Sequence, residues 1–173
     1  MNIAYTMAPG RGDTDLLLHG LAEALIAGGH RPAGVVQINT ERPCDGPCDM
    51  DVQVLPDGPV IRISQSLGAE ARGCRLDPAA LEQAVGLVEA QLATRPDCLI
   101  VNKFGKHEAD GRGFRPLIAE ALALEIPVIV GLNRMNEAAF ASFTEGLAQP
   151  IAPEASALRA WLDPLLTERH AIV

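Results

Sequence analysis

Asn2-Ile3-Ala4-Tyr5-Thr6-Met7-Ala8-Pro9-Gly10-Arg11-Gly12-Asp13-Thr14 is the stretch on which the fold turns. Asn2 to Ala8 is short and mostly apolar, and reads as a first strand. Pro9-Gly10-Arg11-Gly12 ends it, since proline lacks a backbone donor and glycine accepts turn geometries closed to other residues. From Asp13 the pattern becomes helical, with Leu16, Leu17, Leu21, Leu25 and Ile26 near i, i+4 spacing, and Gly28-Gly29 stops it. Strand, glycine turn and helix form the first unit of an open α/β sheet.

The rest of the chain extends that sheet. Gly34 to Ile38 reads as a second strand. Proline, glycine and aspartate crowd Thr40 to Gly58, with short alternating pieces at Val52 to Leu55 and Val60 to Ser64. Hairpin-like strands are expected there, turning at Pro56-Asp57-Gly58 and around Cys44. Asp77-Pro78 opens a helix as N-cap and first helical residue, and Leu81, Val85, Val88 and Leu92 mark its apolar face. Cys98-Leu99-Ile100-Val101 is an apolar strand broken at Asn102-Lys103-Phe104-Gly105-Lys106. Such a break at a strand's C-terminal end is where open α/β sheets hold ligands. Gly111 to Gly113 leads into a helix through Leu117, Ile118, Ala121 and Leu122, and Ile126 to Leu132 is a further buried strand. Helices over Glu137 to Gly146 and Ala155 to Leu166 complete the chain. The expected fold is one α/β domain over 1–173: a P-loop-like, open, mostly parallel sheet with flanking helices and a β-hairpin insertion at about 40–76.

Composition narrows the partners. The chain has 173 residues, 48% of them hydrophobic and only 3% aromatic, so alanine, leucine, valine and isoleucine must build the core. A net charge of -8 argues against nucleic acid or an anionic membrane as the main partner. Its bases nevertheless gather in mid-chain, at Arg62, Arg72, Arg75, Lys103, Lys106, Arg112 and Arg115. Solvated surface charge accounts for most of these, yet such a grouping can also hold a small anion. Without a membrane-length apolar run or a secretory leader, the expected place is the cytoplasm, with the four cysteines reduced. A small, aromatic-poor chain of this kind can also associate into homo-oligomers.

The first loop has the layout of a phosphate-binding loop, where backbone N–H groups and a helix dipole receive an anion. The working motif is G-x-x-x-x-G-K-[ST]. Here Met7 stands for the first glycine and Asp13 for the lysine, while Gly12 and Thr14 retain the last glycine and the hydroxyl. An aspartate at the lysine position repels a triphosphate at short range. The plainer alternative makes Asp13 a helix cap and the glycines simple turn residues.

The chain resembles a bacterial family related to cancer-linked nucleoside-triphosphatases of the P-loop superfamily. The resemblance is carried by Arg62-Ile63-Ser64-Gln65-Ser66-Leu67-Gly68, by Gly73-Cys74-Arg75-Leu76-Asp77 and by Val101-Asn102-Lys103-Phe104-Gly105-Lys106-His107-Glu108. Members of that family are often encoded beside molybdate transport genes, which implies a role in molybdate or tungstate handling. The related triphosphatases carry an Asp-Glu pair after the third strand, to orient magnesium and water. Asn102 and Lys103 occupy those positions here, so the resemblance implies the fold while hydrolysis lacks its metal supports.

Four chemistries follow. The first is non-covalent binding of a small tetrahedral oxyanion, molybdate or tungstate, with no catalytic residue and no further cofactor. Gly10, Arg11, Gly12 and Thr14 would line it from the first loop, and Asn102, Lys103, Gly105, Lys106 and Arg112 from the strand break, with Arg72 and Arg75 as further donors. The second is a nucleotide-dependent enzyme, in which Arg11 or Lys103 replaces the loop lysine and Thr14 with Glu108 or Asp110 holds magnesium. The third is a thiolate metal site at Cys44, Cys48 and Cys74, completed by Asp45, Asp49 or a histidine; against it stands the lack of a second close cysteine pair. The fourth is a regulatory protein that senses its ligand. His19, His30 and His170 read as surface or cap residues, Cys98 as core filler, and Trp161 as a core anchor.

Overall fold

The computed structural model describes residues 1–40, 49–65 and 76–171. The elements in chain order are β1 (Ile3–Thr6), α1 (Asp13–Ala27), β2 (Pro32–Thr40), β3 (Asp49–Val54), β4 (Val60–Arg62), α2 (Pro78–Leu92) and β5 (Cys98–Phe104). After them come α3 (Lys106–Ala109), α4 (Arg115–Ala123), β6 (Val128–Leu132), a 3-10 turn (Arg134–Asn136), α5 (Glu137–Phe143), β7 (Gln149–Pro150) and α6 (Ala155–Ala171).

The strands form one sheet in the order β4-β3-β2-β5-β6-β1-β7. The stretch from β2 to β7 is parallel, while β3 and β4 add on antiparallel as the expected hairpin. Every residue of β6 is buried, and in β5 only Lys103 is exposed, as strands covered on both faces require. Helices α1 and α6 cover one face, closing over Leu18, Leu21, Leu25, Ile100, Ile129, Leu158 and Leu162. Helices α2, α4 and α5 cover the other, where Leu81, Val88, Leu117, Ile118 and Phe140 meet Leu99, Val101 and Val130. Phe140 packs edge-on to both Tyr5 and Phe104, with ring centroids 5.5 and 5.1 Å away, and so locks α5 beneath the strand ends.

Two glycines set the spacing of the sheet. A Cβ on Gly34, whose φ is +107°, would lie 1.9 Å from the Ile100 carbonyl oxygen, and one on Gly131 would lie 2.0 Å from that of Asn102. Any side chain at either position would push neighbouring strands apart.

Three local expectations are corrected. Leu16 is 75% exposed and Ile26 also faces outward, whereas Leu18 and Ala22 are buried, because α1 turns its Leu18-Leu21-Leu25 stripe to the sheet. Strand β5 does not break at Asn102: after a bulge it continues to Phe104, which pairs with Leu132. Asp13 is not the cap of α1. That position belongs to Gly12, in the left-handed conformation at φ 84°, and no side chain caps the helix. Asp77 does cap α2, accepting from the N–H groups of Ala79 and Ala80, with Pro78 following. Among the described residues no helix is long and apolar enough to cross a membrane.

Candidate functional site

The C-terminal ends of β1, β2 and β5 meet the first turn of α1, and polar groups are drawn inward there. Asp15 is only 5% exposed. Its Oδ1 accepts from Asn102 Nδ2 at 2.7 Å, and its Oδ2 from Asn39 Nδ2 at 2.6 Å and Gln37 Nε2 at 3.3 Å. Gln37 Nε2 also donates to Asn39 Oδ1 at 2.7 Å. Burying a carboxylate is costly unless donors surround it, and three amides plus the positive end of α1 do so here. Accepting from Asn102 also fixes the orientation of that amide, since a flip would set its oxygen against the carboxylate.

That orientation leaves Asn102 Oδ1 buried without a hydrogen-bond partner among the described residues, and Thr6 Oγ1 is in the same state. Thr6 and Asn102 lie in the strands on either side of β6, next to Gly131. Buried polar atoms are rarely left unpaired, and an ordered water or a bound ion is one account of those that are.

The first loop lies beside this cluster. Thr14 Oγ1 accepts from the N–H of Ala8 at 2.9 Å, which draws the hydroxyl back onto the loop. The Asp13 carboxylate folds over Gly10, so closely that a Cβ on Gly10 would lie 2.0 Å from Asp13 Oδ2. Among the described residues, the N–H groups of Gly10, Arg11 and Gly12 find no backbone acceptor. Arg11 is exposed.

The remaining candidates divide. Lys103 and Lys106 are exposed beside Gly105 at the end of β5. Arg112 is exposed too, but it pairs with Asp110 at 3.7 Å and lines a separate cleft of about 660 Å³ between α2 and α4, together with Glu82 and His107. Arg72 and Arg75, and the thiolate candidates Cys44, Cys48 and Cys74, lie outside the described residues. Among those described, no group of three histidine, cysteine or acidic side chains could hold a metal ion. Cys98 is wholly enclosed and its thiol is pushed up to about 12 by burial, which suits core filler. Trp161 is half-buried and donates to Gln149 Oε1 at 2.6 Å, pinning α6 to the sheet edge.

Glu108, a candidate magnesium ligand, is engaged by the backbone on both oxygens. Its Oε2 accepts from the Gly105 N–H at 2.9 Å and its Oε1 from the Phe114 N–H at 3.2 Å, which staples the loop after β5 into shape. Burial raises its pKa above the ordinary carboxylate value, and the two backbone donors only partly offset that. Next to it, His107 Nε2 and the Gly113 N–H both meet Glu82 Oε1, at 3.0 and 3.1 Å.

Asp15, Gln37 and Asn39 escaped the sequence reading. The one signal available was an aspartate three residues before Leu18, on the stripe that α1 buries.

The chain is similar to several known proteins. It overlays the structure of THEP1 from the hyperthermophile Aquifex aeolicus with a TM-score of 0.65 at 18% identity, over 97% of this chain and 98% of that one. It overlays a human cancer-related nucleoside triphosphatase with a TM-score of 0.62, also at 18% identity, over 99% and 98% of the two chains. These likenesses establish the P-loop-like α/β fold. At the sequence level it is 38% identical over 152 residues to the molybdenum import ATP-binding protein ModC 2 of Bradyrhizobium diazoefficiens. That match takes in 86% of this chain but only 17% of the much longer relative. Residues 3–161 match the family described as protein of unknown function DUF2478, and the chain belongs to that family.

Proposed function

We propose that this protein binds a small tetrahedral oxyanion, molybdate or tungstate, at the loop between β1 and α1, without hydrolysing nucleotide, and serves molybdenum homeostasis. The observation that carries the reading is the state of that loop. Among the described residues its Gly10-to-Gly12 N–H groups have no backbone acceptor, and they stand at the positive end of a fifteen-residue helix, with Arg11 on the loop itself. Lys103 and Lys106 stand on the neighbouring strand end as further cations. A relative named for molybdenum import adds support.

Three features weigh against a magnesium triphosphate. Asp13 stands at the lysine position with its carboxylate over Gly10, the Thr14 oxygen already accepts from the Ala8 N–H, and β5 carries at Asn102 an amide bound to Asp15 instead of an acid. An oxyanion must also contend with Asp13, but that side chain is exposed and can turn outward. The test is calorimetric titration of the metal-free protein with molybdate and, separately, with magnesium-ATP. Saturable molybdate binding with a silent ATP titration supports the reading; the reverse overturns it.

Nucleotide binding is the second reading, and the likeness to a human nucleoside triphosphatase and to a relative named as ATP-binding favours it. It requires Arg11 or Lys103 to meet the phosphates in place of the missing lysine. ATP binding that Arg11→Ala and Lys103→Ala abolish would establish it.

A further inference from the structure

The opposite end of the sheet carries a second cleft, of about 980 Å³, at the N-terminal ends of the strands. Three of the chain's fourteen basic residues, Arg31, Arg95 and Arg169, line it, although the protein as a whole is strongly acidic. Among the described residues none of the three forms an ion pair with a carboxylate. Arg169 is held in place: it donates from Nη1 to the Glu125 carbonyl at 2.7 Å and from Nη2 to the Pro96 carbonyl at 3.4 Å. Its guanidinium therefore keeps a fixed orientation, with further N–H donors still unspent. Arg31 and Arg95 are exposed and free to close on a ligand.

The acids in the same cleft define the rest of the ligand. Asp97 is engaged by the Arg31 N–H at 2.7 Å and faces His30 at 3.9 Å. Glu125 and Glu168 remain as acceptors, while Leu124 and Leu165 supply apolar wall. A cleft that offers several guanidinium donors and two carboxylate acceptors matches a molecule with an anionic head and hydroxyl groups. We infer that this cleft binds a phosphorylated polyol, with the phosphate among Arg31, Arg95 and Arg169 and its hydroxyls donating to Glu125 and Glu168. The site is independent of the loop after β1, at the other end of the strands.

The experiment is an amide-resolved NMR titration of the whole chain with ribose 5-phosphate, inorganic phosphate and ribose. Saturable shifts at Thr94, Arg95, Leu124 and Glu125 are expected, with ribose 5-phosphate binding at least threefold tighter than inorganic phosphate and ribose alone silent. The Arg31→Ala/Arg95→Ala double variant should weaken binding at least tenfold; both side chains are exposed and make no hydrogen bond among the described residues, so its thermal midpoint should stay that of the parent. Equal affinity for phosphate and ribose 5-phosphate would remove the polyol from the assignment. Overturning it altogether would take no saturable shift at millimolar ligand, shifts confined to residues 8–14, or unchanged affinity in the double variant.

Discussion

The Asp15 carboxylate and the Asn102 amide meet across 2.7 Å although 87 residues separate them, and this bond ties α1 to the end of β5. An isosteric change at one partner tests how much depends on it. Asn102→Asp replaces the donor with a second buried carboxylate, and should cost about 2–4 kcal/mol at pH 7. At pH 4 the loss should shrink, because two adjacent carboxyl groups can share a proton. Urea unfolding at both pH values measures this, and an unchanged midpoint at pH 7 would show that the network is dispensable.

Asp13 is the charge that most directly opposes an anion at the first loop. Asp13→Asn keeps the size of the side chain and removes that charge, so molybdate affinity should rise about tenfold at low salt, consistent with an attenuated Coulomb repulsion at close range. Repeating the titration in high salt should narrow the gap. A parent and variant of equal affinity would place the anion elsewhere.

Glu108 makes stability depend on pH in a particular direction. Its folded pKa lies above the ordinary 4.5, so its contribution is fully present below that value and is lost as pH rises through the folded pKa. Glu108→Gln should flatten this slope, as read from denaturant midpoints between pH 4 and 8. Glu108→Ala should cost about 2–3 kcal/mol, because the Gly105 and Phe114 N–H groups lose their acceptor.

Gly131 is a purely steric prediction. A Cβ there would press on the Asn102 carbonyl, so Gly131→Ala should destabilise by about 3 kcal/mol and displace the Asn102 side chain as β5 shifts. Thermal unfolding gives the first effect, and a weakened molybdate titration gives the second. A variant as stable as the parent would mean that the two strands separate freely.

Much of the fold was legible because local chemistry and tertiary packing agree. Asp77-Pro78 can hardly be anything but a helix start, and the apolar runs in β5 and β6 suit only strands covered on both sides. Helix α1 was harder to orient. Leu16, Leu17 and Leu18 follow one another, so the sequence offers three faces, and only the packing of Leu18, Leu21 and Leu25 on the sheet selects one. That choice also buries Asp15, whose amide partners come from two other strands, and no local pattern could announce it. The two-residue β7 is too short to carry any periodicity. Lys103 was read as lying beyond a finished strand, whereas the Phe104 and Leu132 pairing carries β5 past it.

The place of β1 has a consequence for synthesis. It pairs with β6, Ile3 opposite Val128, and with β7, Ala4 opposite Gln149, so neither edge of this strand finds its neighbour until β6 and β7 have left the ribosome. Hairpin β3–β4 can close long before that. The first loop is thus translated well before the strands that fasten its base. A nascent chain arrested before β6 should leave β1 open to proteases or chaperones, and should be blind to any ligand that the finished loop receives.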